Sequence, residues 1–502
     1  MTLEQAVAKQ QQRPTMTLGG RPPAGSLPLA RLRVLLSLHP GVVVVALACA
    51  ALVRQAMHDG LAGDVFYEVA SGRWMLAHHA LLRHDVFTYS VPGRPWLDEE
   101  WGFQVLLAWL VAHLGPVAYW LVSGGACAGA VLAATLLWRR GGAGWLWAAT
   151  LVLIATMGLS VGLSPRPQDL SYLFFVVLLL LLAFARQQAA WLLAVPALIL
   201  VWANVHGSFL LALAIVALEL VWSFVPAPPG RLALRPLPRQ PAALCLLASV
   251  LLSFVNPNGP RLLVYAFKVS TSPQLTSLIS EWQSPNFHSP LLLLVIVGPA
   301  LLLLSSLAFG RSTLDLGEVA LATALLVATL HAVRFTPYFD LAACTALARW
   351  QPLGHEALPA NALSAPAALA VVAALLAGPH PSAGAPQVSG PLGTPVAATD
   401  YLLRHDGRVF TTYWWGDYLD YRGLQVFVDG RTDIYSGTPV LATYMKVARL
   451  EVDPDSFFAR WNITWVMWQK GAALTTYLAN DARWSEVFAA GGAAVFEHRG
   501  RW

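Results

Sequence analysis

Apolar runs long enough to cross a bilayer, recurring from residue 34 to residue 379, constrain this chain more than any other feature. A helix needs about 20 mostly apolar residues to span the hydrocarbon. Eleven candidate spans fall near 34–56, 116–137, 143–162, 168–185, 190–203, 207–225, 241–255, 289–309, 315–332, 335–350 and 362–379. In lipid, backbone polar groups must be satisfied within their own segment, so each run is expected to be a helix. Composition agrees: 57% of the residues are hydrophobic and only 12% are charged, about half the charged share of a soluble protein. The expected fold is therefore a polytopic α-helical membrane protein of about eleven spans. The formal net charge of +5 does not indicate nucleic acid as a partner, because the basic residues are dispersed between apolar runs. Cys49, Cys127, Cys245 and Cys344 lie in separate apolar runs without metal-ligand spacing and read as small buried hydrophobes.

Basic residues near the ends of spans set orientation. Arg31 and Arg33 precede the first run, and Arg139 with Arg140, then Arg186, then Arg231, Arg235 and Arg239, then Arg311, then Arg349, fall in alternate connections. These connections are expected on the cytoplasmic side. The stretch 58–100, the connections at 163–167, 204–206, 256–288 and 332–335, and everything after the last span are then expected outside. Residues 1–30 are polar and rich in Pro and Gly, as in disordered chain. The expected division is a disordered cytoplasmic segment 1–30, a transmembrane domain 31–379, a Pro/Gly/Ser linker 380–396 and an extracytoplasmic α/β domain 397–502. In that last part, strand-like runs (409–413, 424–430, 463–468, 493–498) alternate with helical patterns near 435–450, 454–461 and 471–489. Trp101 to Leu114 is apolar but too short to span, and reads as an amphipathic helix lying on the membrane.

The outer stretch 58–100 carries Asp59, Asp64, Glu68, Asp85, Asp98, Glu99 and Glu100, interleaved with Phe66, Tyr67, Trp74, Phe87, Tyr89 and Trp96. A connector needs neither acids nor aromatics in such number; a reactive surface uses both. The other outward connections hold Arg166 in SPRPQD, Asn204 and His206 in WANVHG, Asn256 and Arg261 in NPNGPR, Trp282 in EWQSP and Arg334 in HAVRF. Ionisable groups at membrane depth are costly and face a cavity or a partner.

GDVFYEVASGRWML, HDVFTYSVPGRPWLDEEW, SPRPQ, WANVHGSF and NPNG together resemble the outer-loop sequences of bacterial membrane proteins of the GT-C glycosyltransferase superfamily. The resemblance implies a multi-spanning enzyme that takes a sugar from a polyprenyl-phosphate donor at the outer face of the bacterial inner membrane. It implies that an acid soon after the first span is the catalytic base or a metal ligand. Asp64 matches that position, with Asp59 as the near alternative and Asp85 and Glu100 as secondary acids; a divalent cation, Mg or Mn, is implied on Asp64. In the tail, YWWGDYLDYRGLQVFVDGRTDIY is similar to the Trp-Trp-Asp-Tyr-Gly region of oligosaccharyltransferase catalytic subunits. Trp414 and Trp415 match, but Gly416 stands before Asp417.

Chemistry adds roles to these positions. A base must take the acceptor's hydroxyl proton, and the leaving lipid phosphate needs cationic stabilisation. Arg166, His206, Arg261 and Arg334 are the candidates for holding it. Trp414, Trp415, Asp417, Asp429 and Arg431 are the candidate acceptor residues of the tail. The expected partners are a polyprenyl-phosphate-linked sugar and membrane lipids. Two other readings fit the same sequence: a transporter of lipid-linked sugars, which would place ionisable groups in mid-span, and a non-catalytic assembly or binding protein acting through its tail.

Overall fold

The computed structural model describes residues 39–58, 61, 63–226, 228, 230–271, 280–310, 312–350, 352, 364–377, 393–500 and 502. The segment 1–30, Asp59 and most of the linker lie outside the described residues. Each of the eleven apolar runs contains a helix, from Pro40–His58 to Ser364–Ala377. Four of these are long and apolar enough to cross a bilayer: Pro40–His58, Val117–Arg140, Pro167–Ala185 and Pro290–Phe309. The others are shorter.

The bundle packs through small residues and large rings. Trp138, Phe175, Trp202, Phe209 and Phe339 are fully buried among Ala130, Ala134, Ala148, Ala212 and Ala343. Lipid tails are as apolar as these side chains, so close packing rather than the hydrophobic effect holds such helices together. Every residue of Thr336–Leu347 is buried, which places this helix at the centre of the bundle. Val117–Arg140 contains a π-helical turn at Leu121–Gly125, which exposes Ser123 Oγ to the neighbouring helix. There Ser123 donates to Asp169 Oδ2 at 2.5 Å.

The polar connections sort to two ends. At one end Arg186 pairs with Glu219 (2.6 Å) and donates to the carbonyl of Arg235, Arg349 pairs with Glu318 (2.9 Å), and strands β1 (Leu232–Ala233) and β2 (Leu314–Asp315) run parallel. At the other end stand Asp64, Glu100, Arg166, His206, Glu281 and Arg334. This segregation is the one expected from the alternating arginines.

The stretch 58–100 is more ordered than a loop. Asp64–His78 forms a helix that packs against Trp101–Leu114. Its buried face (Val65, Phe66, Val69) shares a core with Phe103 and Leu107 and with Trp415, Tyr418, Trp465 and Met467 of the tail. A second core joins Leu82, Tyr89 and Trp96 to Phe410, Phe427 and Trp468. Each fully buried ring or branched chain contributes about 1.5–3 kcal/mol outside the membrane. The first outer stretch and the tail are thus folded against each other.

The tail sheet has the order β3-β4-β6-β5, with β3 (Arg408–Thr411) parallel to β4 (Ile463–Gln469), and β6 (Ala493–His498) antiparallel to both β4 and β5 (Trp484–Ala490). Two corrections to the expected elements follow. Residues 424–430 form no strand; Val426 alone bridges Val409 on one side and Thr88 on the other, so the first outer stretch closes the sheet edge. The helix expected over 471–489 stops at Ala479, because Trp484–Ala490 pairs with Ala493–His498 across a two-residue turn. That turn is Gly491-Gly492, both at positive φ, the residues a tight hairpin demands.

Candidate active site

At the seam between the polar end of the bundle and the tail lies a cavity of about 430 Å³, a volume suited to a small organic group. Its wall comes from the first outer stretch (Asp64, Tyr67, Trp96, Glu99, Glu100), the bundle connections (Arg166, His206, Glu281, Trp282, Arg334) and the tail (Tyr413, Trp414, Asp417, Asp433).

Local sequence explains why these groups meet. Asp64 opens its helix directly after Gly63, whose missing side chain lets the Trp414 carbonyl approach: a Cβ there would lie 3.3 Å from it and 3.5 Å from Asp417 Oδ2. Thr412 caps the helix Tyr413–Tyr421 by accepting from the Trp415 N–H at 3.3 Å. Gly416 then passes so close to the 428–430 segment that a Cβ would sit 2.4 Å from the Val428 carbonyl. The extra glycine in WWGDY is therefore a packing requirement of this tail. It leaves Asp417 accepting from Gly430 N–H at 2.6 Å, with Oδ2 buried and unpartnered beside the cavity. On the bundle side, Asn204 accepts from Trp101 Nε1 (3.0 Å) and from Gly102 N–H through its carbonyl, while Asn258 donates to the Asp98 carbonyl (2.9 Å). The WANVHG and NPNG connections thus pin the turn that presents Glu99 and Glu100.

The central contact is ionic. Arg166 Nη1 donates to Asp64 Oδ2 at 3.2 Å, and Nη2 donates to Glu281 Oε1 at 2.5 Å. The Asp64 side chain is 30% exposed, but its Oδ1 is covered and has no hydrogen-bond partner among the described residues. Burial raises the Asp64 carboxyl above its ordinary value, against the pull of Arg166. Burial also acts on Glu281, but there Arg166 wins and holds the carboxyl below its ordinary range. Glu100 is pushed up to about 7 by burial and shares a hydrogen bond with Glu68, whose own carboxyl is raised well above normal by burial and by Glu100. Glu99 is pushed up to about 8 by burial and the charge of Glu100. Burial likewise holds Asp417 well above its ordinary value. Burial thus favours the neutral forms of Glu99 and Glu100, which keeps the cavity hospitable to an anion.

The cations differ in their commitments. The Arg334 guanidinium lies 4.3 Å over the Trp282 ring and forms no ion pair among the described residues. His206 Nε2 sits 3.7 Å from Glu100 Oε1, and its Nδ1 meets the Ser208 and Ser171 hydroxyls. Burial, with Arg334 and Arg166 nearby, lowers its pKa well below the ordinary value and so disfavours the imidazolium form. Arg261 is exposed at the start of its helix and does not line the cavity.

Four other candidates have structural positions. Arg431 pairs with Asp85 Oδ1 and with Asp429 Oδ2, all three side chains fully buried. Asp85 and Asp429 do not line the cavity; Arg431 does, and its Nε and Nη2 are engaged by the two carboxylates, so this group welds the 58–100 stretch to the tail. Trp415 is buried behind Trp414, its Nε1 donating to the Gly393 carbonyl at 3.1 Å. Sequence reasoning passed over Glu281 and Glu68 as site residues. An acid beside Trp282 in an outward connection, and an acid one turn after Asp64, were the available signals.

The residues about Asp64 do not fit a divalent ion. The two carboxylates that share one ionic partner, Asp64 and Glu281, share the Arg166 guanidinium. Among the described residues no group of three or more His, Cys, Asp or Glu side chains converges to hold a metal.

No family model matches the chain, and no curated protein does. Among solved structures it is similar to the archaeal oligosaccharyltransferase AglB from Archaeoglobus fulgidus in complex with an inhibitory peptide and a dolichol-phosphate. The TM-score is 0.52 at 12% identity, over 86% of this chain and 69% of that one. The apo form of the same transferase gives the same figures. Its complex with Zn and sulfate matches at TM-score 0.50 and 13% identity, over 85% of this chain and 68% of that one. The likeness is one of fold, an apolar helical part carrying a C-terminal sheet region.

Proposed function

We propose that the protein transfers a sugar from a polyprenyl-phosphate-linked donor to an acceptor outside the bacterial inner membrane, with residues 31–379 as the membrane domain and 397–502 as the extracytoplasmic one. The observation that carries this reading is the cavity at the seam, where an acid with a covered, unpartnered oxygen, an uncommitted arginine and a set of aromatic rings meet at the polar end of apolar helices. The acceptor hydroxyl attacks the anomeric carbon. Asp64 Oδ1 takes its proton as the new C–O bond forms, while the bond from that carbon to the lipid phosphate breaks. The phosphate leaves with the electron pair. Arg334 and Arg166 stabilise that anion in a site where burial favours the neutral forms of Glu99 and Glu100. Tyr67, Trp282 and Trp414 offer faces on which sugar C–H patches stack. Asp417 sits on the acceptor side, and the departure of WWGDY from the Trp-Trp-Asp-Tyr-Gly order argues against assuming a peptide acceptor.

A lipid-linked-sugar transporter would place its ionisable groups in mid-span; here the ion pairs of the bundle lie at its two ends, which favours transfer. Arg334→Ala tests the reading. Removing one charge-assisted contact costs about 1.5–3 kcal/mol, roughly tenfold or more in affinity for a polyprenyl-phosphate analogue. Unchanged affinity in a folded variant removes Arg334 from the donor site.

A further inference from the structure

The guanidinium of Arg166 occupies the space between two carboxylates from distant parts of the chain, Asp64 and Glu281. A divalent ion at Asp64 would need the lone pairs that this guanidinium already engages, and direct oxygen ligands at about 2.0–2.3 Å. Arg166 is also built in. Pro165 and Pro167 flank it, and it holds an extended backbone at the start of the helix Pro167–Ala185. The turn before that helix is fixed by Asp169, which accepts from Ser164 N–H at 3.1 Å and from Ser123 Oγ at 2.5 Å. Ser123 reaches Asp169 from the π-helical turn, a distortion found mostly where function requires it. The Arg166 carbonyl accepts from Asp169 N–H at 3.1 Å, and its side chain is only 16% exposed. This is a preorganised cation, not a mobile surface arginine.

We propose that Arg166 is a resident replacement for a divalent cation: it bridges Asp64 and Glu281, supplies the fixed positive charge at the reacting centre, and makes transfer at this site independent of metal. The inference rests on the transfer reading above for its meaning, but its site can be tested without turnover. The arrangement has a chemical consequence. A bound metal would draw the Asp64 carboxylate into coordination and strip its basicity. The guanidinium ties only Oδ2, leaving Oδ1 free to take a proton. It also leaves Arg166 Nε buried without a partner, a donor available to an anion entering the cavity.

The experiment is Mn²⁺ binding followed by electron paramagnetic resonance on the purified full chain in lipid nanodiscs, with chelator removed. Wild type is expected to bind no stoichiometric Mn²⁺, and its donor turnover to change less than twofold with EDTA. Arg166→Ala, shown monodisperse by size exclusion, is expected to gain one Mn²⁺, and adding Asp64→Asn or Glu281→Gln to that variant to abolish it. Arg166→Met serves if the alanine variant does not fold. Stoichiometric Mn²⁺ on wild type that Asp64→Asn removes overturns the proposal and leaves the transfer reading standing. A folded arginine-free variant that gains no Mn²⁺ also overturns it. Absence of any sugar turnover by wild type, with the Mn²⁺ results as expected, sinks the transfer reading and leaves the cation replacement in place.

Discussion

Replacing Arg431 by Met should loosen the tail from the 58–100 stretch. Arg431 Nε donates to Asp429 Oδ2 at 2.9 Å, and Nη2 donates to Asp85 Oδ1 at 2.5 Å. Asp85 also accepts from Thr88 N–H (3.1 Å) and Thr88 Oγ1 (2.7 Å), and Asp429 from the Tyr435 hydroxyl (3.0 Å). The guanidinium lies 4.9 Å from both the Phe87 and Trp96 ring centres. Methionine fills most of the volume but leaves two buried carboxylates without their cation. Removing one partner of a buried ion pair costs about 3–5 kcal/mol. The opening equilibrium of the seam should rise by roughly a hundredfold to a few thousandfold. Hydrogen exchange of the membrane-embedded protein is the assay. Backbone amides at Asp85, Thr88, Val426 and Asp429 should lose protection, while those of Thr336–Leu347 do not. Unchanged protection at Val426 would refute the weld.

Two further outcomes follow. Glu99 and Glu100, held up to about 8 and about 7 by burial, are largely neutral below those values and gain charge as pH rises through them. A polyprenyl phosphodiester analogue, whose own charge is constant there, should therefore bind more weakly at about pH 9 than at about pH 6. One added charge at about 8 Å and an effective dielectric of about 20 costs roughly 2 kcal/mol, about thirtyfold, and Glu99→Gln with Glu100→Gln should flatten the dependence. A cysteine at exposed Ser436, in a background without the native cysteines, should react with an impermeant thiol reagent in intact spheroplasts; labelling only after lysis would invert the topology.

What the sequence disclosed depended on how local each signal was. Hydrophobic run length located a helix in each of the eleven runs, but only four of the described helices are long and apolar enough to cross a bilayer. The alternating arginines separated the two polar ends. The ends of tail elements were harder: Val426 reads as strand but has only single bridges, because its neighbours are Val409 and Thr88 from distant segments. The hairpin at Gly491-Gly492 was legible and was outweighed by the helical pattern before it. At the site, Asp64, Arg166, Arg334, Trp414 and Asp417 are visible as polar or aromatic groups at outward ends, and the structure brings them to one cavity. Asp85, Asp429 and Arg431 carry the same residue types yet are buried together, and no local pattern distinguishes a buried ion triad from a ligand site. Glu281 acquires its place only through Arg166, a partner 115 positions away.

The measurement closest to the central claim is turnover by Asp64→Asn. Purified wild type and variant are given a panel of polyprenyl-phosphate-linked sugars with extracted envelope acceptors, and released polyprenyl phosphate is quantified. Asn preserves shape and the contact with Arg166 but removes the basic oxygen. Base catalysis contributes typically 10²–10⁴-fold, so release should fall by at least about a hundredfold, while binding of a donor analogue changes only a few fold. Glu451→Gln, on the exposed surface of the tail, should leave release unaltered. Near-full release by a folded Asp64→Asn protein would contradict the account, and loss of release with Glu100→Gln alone would move the base to that acid.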